Sequence, residues 1–136
     1  WVIGEGNNFV RTMASLAERG IDPKVVDDQI GRLTFTDDIA RGIRHLVDTG
    51  ADYGVYNLTG GGEPQSWADI AREVFALTGY DPARVTGVST DEYFAGAPEP
   101  VAPRPRWSLL DLANIVSVGV DAPDGGSALG RYLDAR

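Results

Sequence analysis

The chain has 136 residues and a formal net charge of −8. That length suits one domain, and that charge excludes general nucleic-acid binding, because phosphate neutralisation needs a basic surface. Hydrophobic residues make up 43%, enough to bury a core and too many for a disordered chain. No apolar run approaches the roughly 20 residues of a bilayer span, so no membrane partner is expected. The absence of cysteine excludes disulfides and thiolate chemistry and fits a reducing, cytoplasmic setting.

In chain order, Phe9, Val10, Met13, Leu16 and Ala17 recur at helical spacing and predict a helix closed by Gly20. Lys24–Asp27, after Pro23, and Arg32–Phe35, after Gly31, read as short strands. Ile39, Ala40, Ile43, Leu46 and Val47 predict a second helix, with Thr36 as N-cap, Asp37 and Asp38 at its positive end and Gly50 as its stop. Gly54–Leu58 is the most β-rich run and reads as the best strand, ending in Thr59-Gly60-Gly61-Gly62. Ile70, Ala71, Val74, Phe75 and Leu77 predict a third helix, with Ser66 and Asp69 as a capping-box variant and Gly79 at its end. Val85–Ser89 is a further strand. Residues 95–105 hold four prolines and read as an extended connection. A shorter helix is expected from Ser108, with Asp111 in its first turn, and a terminal helix over Ser127–Leu133. Helices alternating with single strands make the fold class α/β with partly parallel pairing. These strands are too few for a complete sheet. Either weak strands are undercounted, or the missing ones belong to sequence upstream of Trp1.

Candidate chemistry is sparse. The single histidine, His45, lies in the second helix without a ligand-spaced neighbour and reads as a surface or boundary residue. Asp37-Asp38 is explained by the helix dipole. Asp27-Asp28 follows a strand and reads first as a structural pair. The Gly60-Gly61-Gly62 turn matches neither dinucleotide nor P-loop spacing and reads as a tight turn rather than a phosphate cradle. No metal site is expected. Arg104 and Arg106, beside Trp107, are the best anion-recognition candidates, since a guanidinium fork suits phosphate and an adjacent aromatic can close a pocket. The equal alternative is two solvated arginines and a packed indole.

Four stretches, "WVIGEGNNFVRTM", "VVDDQIGRLTFTDDIARGI", "GVYNLTGGGEPQSWADIAREVF" and "RPRWSLLD", stand in this order. Together they resemble the C-terminal half of dTDP-4-dehydrorhamnose reductases, members of the extended short-chain dehydrogenase/reductases. The resemblance covers roughly Trp1 to Leu112. It implies the substrate-binding half of an NAD(P)-dependent oxidoreductase that reduces the 4-keto group of a dTDP-linked 6-deoxyhexose in dTDP-rhamnose synthesis. NADPH or NADH would be bound mainly by an N-terminal Rossmann half. The family's Tyr-x-x-x-Lys pair does not occur, because Tyr53, Tyr56, Tyr80, Tyr93 and Tyr132 all lack Lys four residues on and Lys24 is the only lysine. Trp1 therefore resembles an internal position of a longer chain, residues 1–136 are expected to act as one substrate-binding domain with no catalytic residue, and the isolated chain is expected to be inactive.

Residue by residue, the resemblance implies substrate binding by Trp1, an aromatic beside nicotinamide and sugar; by Asn8, at a helix start; by Gln29, near the nucleotide end; and by Arg104, on the diphosphate. Arg32 departs from the small residue common in the family and receives no role. The expected ligand is a dTDP-sugar. The alternatives are another extended short-chain dehydrogenase acting on a nucleotide sugar, whether epimerase, dehydratase or an epimerase/reductase fusion, and a non-catalytic binding domain. If the Val55–Leu58 strand lacks neighbours, the isolated chain is expected to self-associate.

Overall fold

The computed structural model describes residues 1–98 and 100–135. In chain order the elements are β1 (Val2–Ile3), α1 (Phe9–Glu18), β2 (Lys24–Val26), β3 (Ile30–Gly31), β4 (Thr34–Phe35), α2 (Thr36–Asp48), β5 (Gln65–Ser66), α3 (Trp67–Leu77), β6 (Thr86–Val88), α4 (Thr90–Tyr93), α5 (Ala113–Ser117) and α6 (Gly125–Asp134), with a 3-10 turn at Pro82–Arg84. The chain forms two compact units. One comprises Trp1–Gly6, Arg32–Glu63 and the chain from Leu109 on; the other comprises Asn7–Gly31 and Pro64–Ser108.

In the first unit, β1 pairs in parallel with β4. Ile3, Leu33, Phe35, Ile115 and Leu129 are buried, and the Phe35 ring lies 5.6 Å from that of Tyr132, whose hydroxyl donates to Gly4 O at 2.8 Å. The His45 ring nitrogen Nε2 faces Val118 O at 2.8 Å, so it carries the proton and ties α2 to the turn after α5. The expected boundary role of His45 is thus structural.

Three expectations for this unit need correction. Val55–Leu58 is not a strand. Asn114 Nδ2 donates to Val55 O at 3.2 Å, taking one carbonyl that a ladder would use, and the Asn57 side chain anchors the segment by donating from Nδ2 to Asp111 O at 2.8 Å. β-propensity marks a segment that fits a sheet, but a strand exists only beside a neighbour. The second helix forms, yet its apolar stripe is not its buried face. Ile43 and Val47 are 53% and 74% exposed, whereas Asp38 and Gly42 are buried. Its N-cap is Phe35, without a side-chain cap bond, and Thr36 is already helical. The helix expected from Ser108 begins at Ala113: Ser108 N–H pairs with Ile30 O at 2.8 Å in an extended bridge, and Asp111 Oδ1 accepts from Ala113 N–H at the helix start. The terminal helix forms as expected and extends two residues further at its start, capped by Asp124.

The second unit packs α1 on α3 over two short ladders, β2 parallel to β6 and β3 antiparallel to β5. Val10, Met13, Ala14 and Ala17 of α1 and Ile70, Ala71, Val74 and Phe75 of α3 are buried, as their periodicity requires; Leu77 is half exposed. Ser66 and Asp69 form the full reciprocal capping box. Gly79 has φ of 83° and closes α3 with paired bonds, its N–H to Ala76 O and Tyr80 N–H to Phe75 O, the Schellman arrangement that requires a left-handed residue. The Arg84 guanidinium lies 5.2 Å from the Phe75 ring centroid and donates to Asp22 Oδ1 at 2.6 Å, which covers the core edge with a paired cation. Among the described residues, no helix is long and apolar enough to cross a membrane.

Candidate functional site

The second unit holds a cavity of about 200 Å³. The β2 strand supplies its floor through Lys24, Val25 and Val26; α1 supplies Phe9 and Met13; Trp67 stands at the first position of α3; Tyr93 and Phe94 close it at the end of α4; Gln29 and Arg104 add polar groups. Phe9 and Trp67 rings meet at 4.6 Å, tilted by 57°, and Tyr93 meets Phe94 edge-on at 5.1 Å. Aromatic faces with a few polar groups suit a flat heteroaromatic ligand, because the faces supply stacking and the polar atoms supply orientation.

The polar wall grows from the turn after β2. Asp28 Oδ1 accepts from Thr90 N–H at 3.0 Å and Thr90 Oγ1 at 2.6 Å, and Gln29 Nε2 donates to the same Oγ1 at 2.9 Å. The Thr90 hydroxyl holds the Asp28 carboxyl below its ordinary value, against the opposing effect of burial and with help from the Thr90 N–H and the Arg106 charge. Arg106 Nη2 lies 3.8 Å from Asp28 Oδ2. Among the described residues no carboxylate pairs with Arg104, so its guanidinium is the available cation of this wall. Lys24 is engaged by Glu92 at 3.1 Å.

Of the residues singled out from sequence, the cavity brings Gln29 and Arg104 together. Asn8 is the N-cap of α1: its side-chain oxygen accepts from Arg11 N at 3.1 Å, and the next residue, Phe9, lines the cavity. Trp1 belongs to the other unit, where its carbonyl accepts from Thr34 N–H at 2.9 Å. Trp107 neither packs nor closes the pocket; it is 63% exposed. Of the Asp27-Asp28 pair, Asp28 is held by the Thr90 bonds, and Asp27 N–H donates to Val88 O at 2.9 Å. Phe9, Met13, Trp67 and Tyr93 escaped the sequence reading. The first two lay in a stripe read wholly as core, and only the doubled aromatics at Tyr93-Phe94 could have signalled a wall.

The Gly-rich turn does not cradle a ligand. A Cβ at Gly60 would collide with Leu33 O, and Gly61 N–H donates to Pro123 O at 2.8 Å, so the chain's own backbone fills the space a phosphate would need. Arg32 Nε donates to Gly62 O at 2.8 Å, consistent with a structural use. This turn therefore does not fit a dinucleotide. Among the described residues no cluster of potential metal ligands occurs.

A family model described as the RmlD substrate binding domain matches residues 1–135. The chain is 41% identical over 111 residues to a dTDP-4-keto-6-deoxy-D-glucose reductase from Streptomyces niveus, covering 81% of this chain and 36% of that protein. It is 34% identical to a dTDP-4-dehydrorhamnose reductase from Mycolicibacterium smegmatis, covering 88% and 36%. The crystal structure of dTDP-4-dehydrorhamnose reductase from Bacillus anthracis in complex with NADP superposes with a TM-score of 0.87 at 30% identity, over all of this chain and 46% of that one. The chain thus spans less than half the length of each of these relatives.

Proposed function

This chain belongs to the RmlD substrate-binding domain family, and from that premise we propose that it is the substrate-binding half of a dTDP-4-dehydrorhamnose reductase, taking a dTDP-linked 4-keto-6-deoxy sugar. The observation that carries the reading is the aromatic cavity lined by both Gln29 and Arg104, the latter without a carboxylate partner among the described residues. The Streptomyces niveus and Mycolicibacterium smegmatis relatives, 41% and 34% identical, are named as reductases of dTDP-sugars.

In this reading the aromatic walls hold the base of the nucleotide, and Arg104 neutralises diphosphate charge through its planar fork, which Pro105 aims by restricting the chain. Trp1 and Asn8 keep the roles implied by family resemblance, toward the sugar and its oxygens. The reductant, NADPH or NADH, supplies the hydride when bound. In this reading it is bound mainly by an N-terminal Rossmann half, as the family resemblance implies, and the Gly60–Gly62 turn here is filled by its own backbone. What this chain contributes is binding, orientation and exclusion of water from the nucleotide end. In a complete enzyme, the exposed apolar side chains Ile43, Val47, Tyr53 and Val55 of the first unit would be covered by the remaining half. Calorimetric titration with dTDP tests the reading: saturable binding supports it, and no heat at millimolar nucleotide contradicts it.

A further inference from the structure

The wall of the cavity contains a directional hydrogen-bond chain whose polarity is fixed by chemistry. An ionised carboxylate only accepts, so at the 2.6 Å contact with Asp28 Oδ1 the Thr90 hydroxyl must donate its single proton. Thr90 Oγ1 then has only lone pairs for its other neighbour. The group of Gln29 at 2.9 Å must therefore be the amide nitrogen, because a carbonyl oxygen there would meet another oxygen with no proton between them. A glutamine amide is otherwise free to turn over and exchange its donor and acceptor ends. Here it is not. Gln29 is 8% exposed, one Nε2–H is spent on Thr90, and Oε1 has no hydrogen-bond partner among the described residues. No buried polar side-chain atom among them is left unsatisfied, so Oε1 opens to accessible space, on a residue that lines the cavity.

We propose that Thr90 and Asp28 are positioning residues that lock the Gln29 amide with its oxygen toward the ligand, so that the cavity selects a pyrimidine presenting an N–H donor at N3 beside a carbonyl acceptor. Thymine and uracil carry that edge. Cytosine carries its inverse, a ring-nitrogen acceptor beside an amino donor. A locked amide pairs through Oε1 and its remaining N–H with the first edge and opposes like groups on the second; a freely turning amide accommodates both. Specificity of this kind comes from the penalty on the wrong partner, whose polar groups are left unpaired. The inference rests on the reading of this cavity as the nucleotide site and adds the device that discriminates the base.

The test is titration of the 136-residue chain with dTDP, dUDP and dCDP. The last two share ring shape, sugar and diphosphate and differ at the pairing edge. The wild-type chain is expected to prefer dUDP to dCDP by about tenfold or more. Thr90→Val, which removes the hydroxyl at nearly constant shape, is expected to bring the two within about threefold of each other. Thr90→Ser, which restores the hydroxyl, is expected to recover the preference. Thermal midpoints taken alongside show whether each variant is folded, and a purely structural role for Thr90 would weaken both nucleotides alike. Wild-type binding without preference, or a preference unchanged in Thr90→Val, overturns the positioning device while leaving the cavity a nucleotide site. Failure of all three nucleotides to bind the wild-type chain overturns the nucleotide reading and the device with it.

Discussion

Arg104 carries the sharpest residue-level expectation. It is the one cation of the cavity wall without a carboxylate partner among the described residues. Arg104→Ala should weaken dTDP binding by about 1.5–3 kcal/mol, the value of a charge-assisted hydrogen bond, while leaving the thermal midpoint of the chain unchanged. Asp28 makes a prediction in pH. Its carboxyl is held below its ordinary value of 3.8, chiefly by the Thr90 hydroxyl, so the folded state favours the ionised form. The stability this contributes is fully present above the ordinary value and is lost as pH falls through the lowered folded one. Melting of Thr90→Val should accordingly lose part of the acid dependence seen in the wild type below about pH 4; identical profiles would remove Thr90 as the cause. Asp69 follows the same sign. Burial pushes it up, but hydrogen bonds from the Ser66 hydroxyl and N–H and the charge of Arg72 outweigh this and leave it lowered. Gln29 and Arg104, which line the cavity, could be singled out from the sequence because each stood in a motif. Thr90 could not, since it lies 61 residues from Gln29 and nothing local announces a bond across that distance.

At the scale of elements, α1 and α3 were legible because their signals are local. A periodic stripe, a cap and a closing glycine specify a helix with little reference to the rest of the chain. The α3 capping box illustrates how much such a signal contributes. Ser66→Ala removes the acceptor for Asp69 N–H at 3.0 Å and should cost about 1 kcal/mol, read as a lowered denaturation midpoint. Gly60→Ala should be worse, because its Cβ meets the backbone oxygen of Leu33; overpacking against backbone costs about 1–3 kcal/mol. The Val55–Leu58 segment and the orientation of α2 were not legible for a common reason. Both depend on what lies beside them. An apolar stripe states that a face should be covered, and it does not state by what. In α2 the positions that do face inward are Asp38, paired with Arg41, and Gly42, where a Cβ would meet Leu58. Neither residue announces burial by its type.

For the whole molecule, the first unit exposes the apolar side chains Ile43, Val47, Tyr53 and Val55, and the proposed reading has them covered by further polypeptide. If these side chains drive association, Ile43→Glu combined with Val47→Lys should lower the apparent mass in light scattering. The same pair should shift stability by no more than about 0.5 kcal/mol, as expected of exposed positions. An unchanged mass would place self-association elsewhere. The chain alone should also show no oxidation of NADPH with a dTDP-keto sugar, since no tyrosine is followed by lysine at the fourth position.

The cavity lined by Phe9, Trp67, Tyr93, Gln29 and Arg104 is the proposed place where a thymidine nucleotide binds. Backbone amide resonances of the 15N-labelled chain, followed during titration with dTDP, test this most directly. Saturable shifts concentrated at Phe9, Gln29, Trp67, Tyr93 and Arg104 are predicted. Shifts that saturate at residues outside this cavity while these five stay still, or no shifts at all, would contradict it.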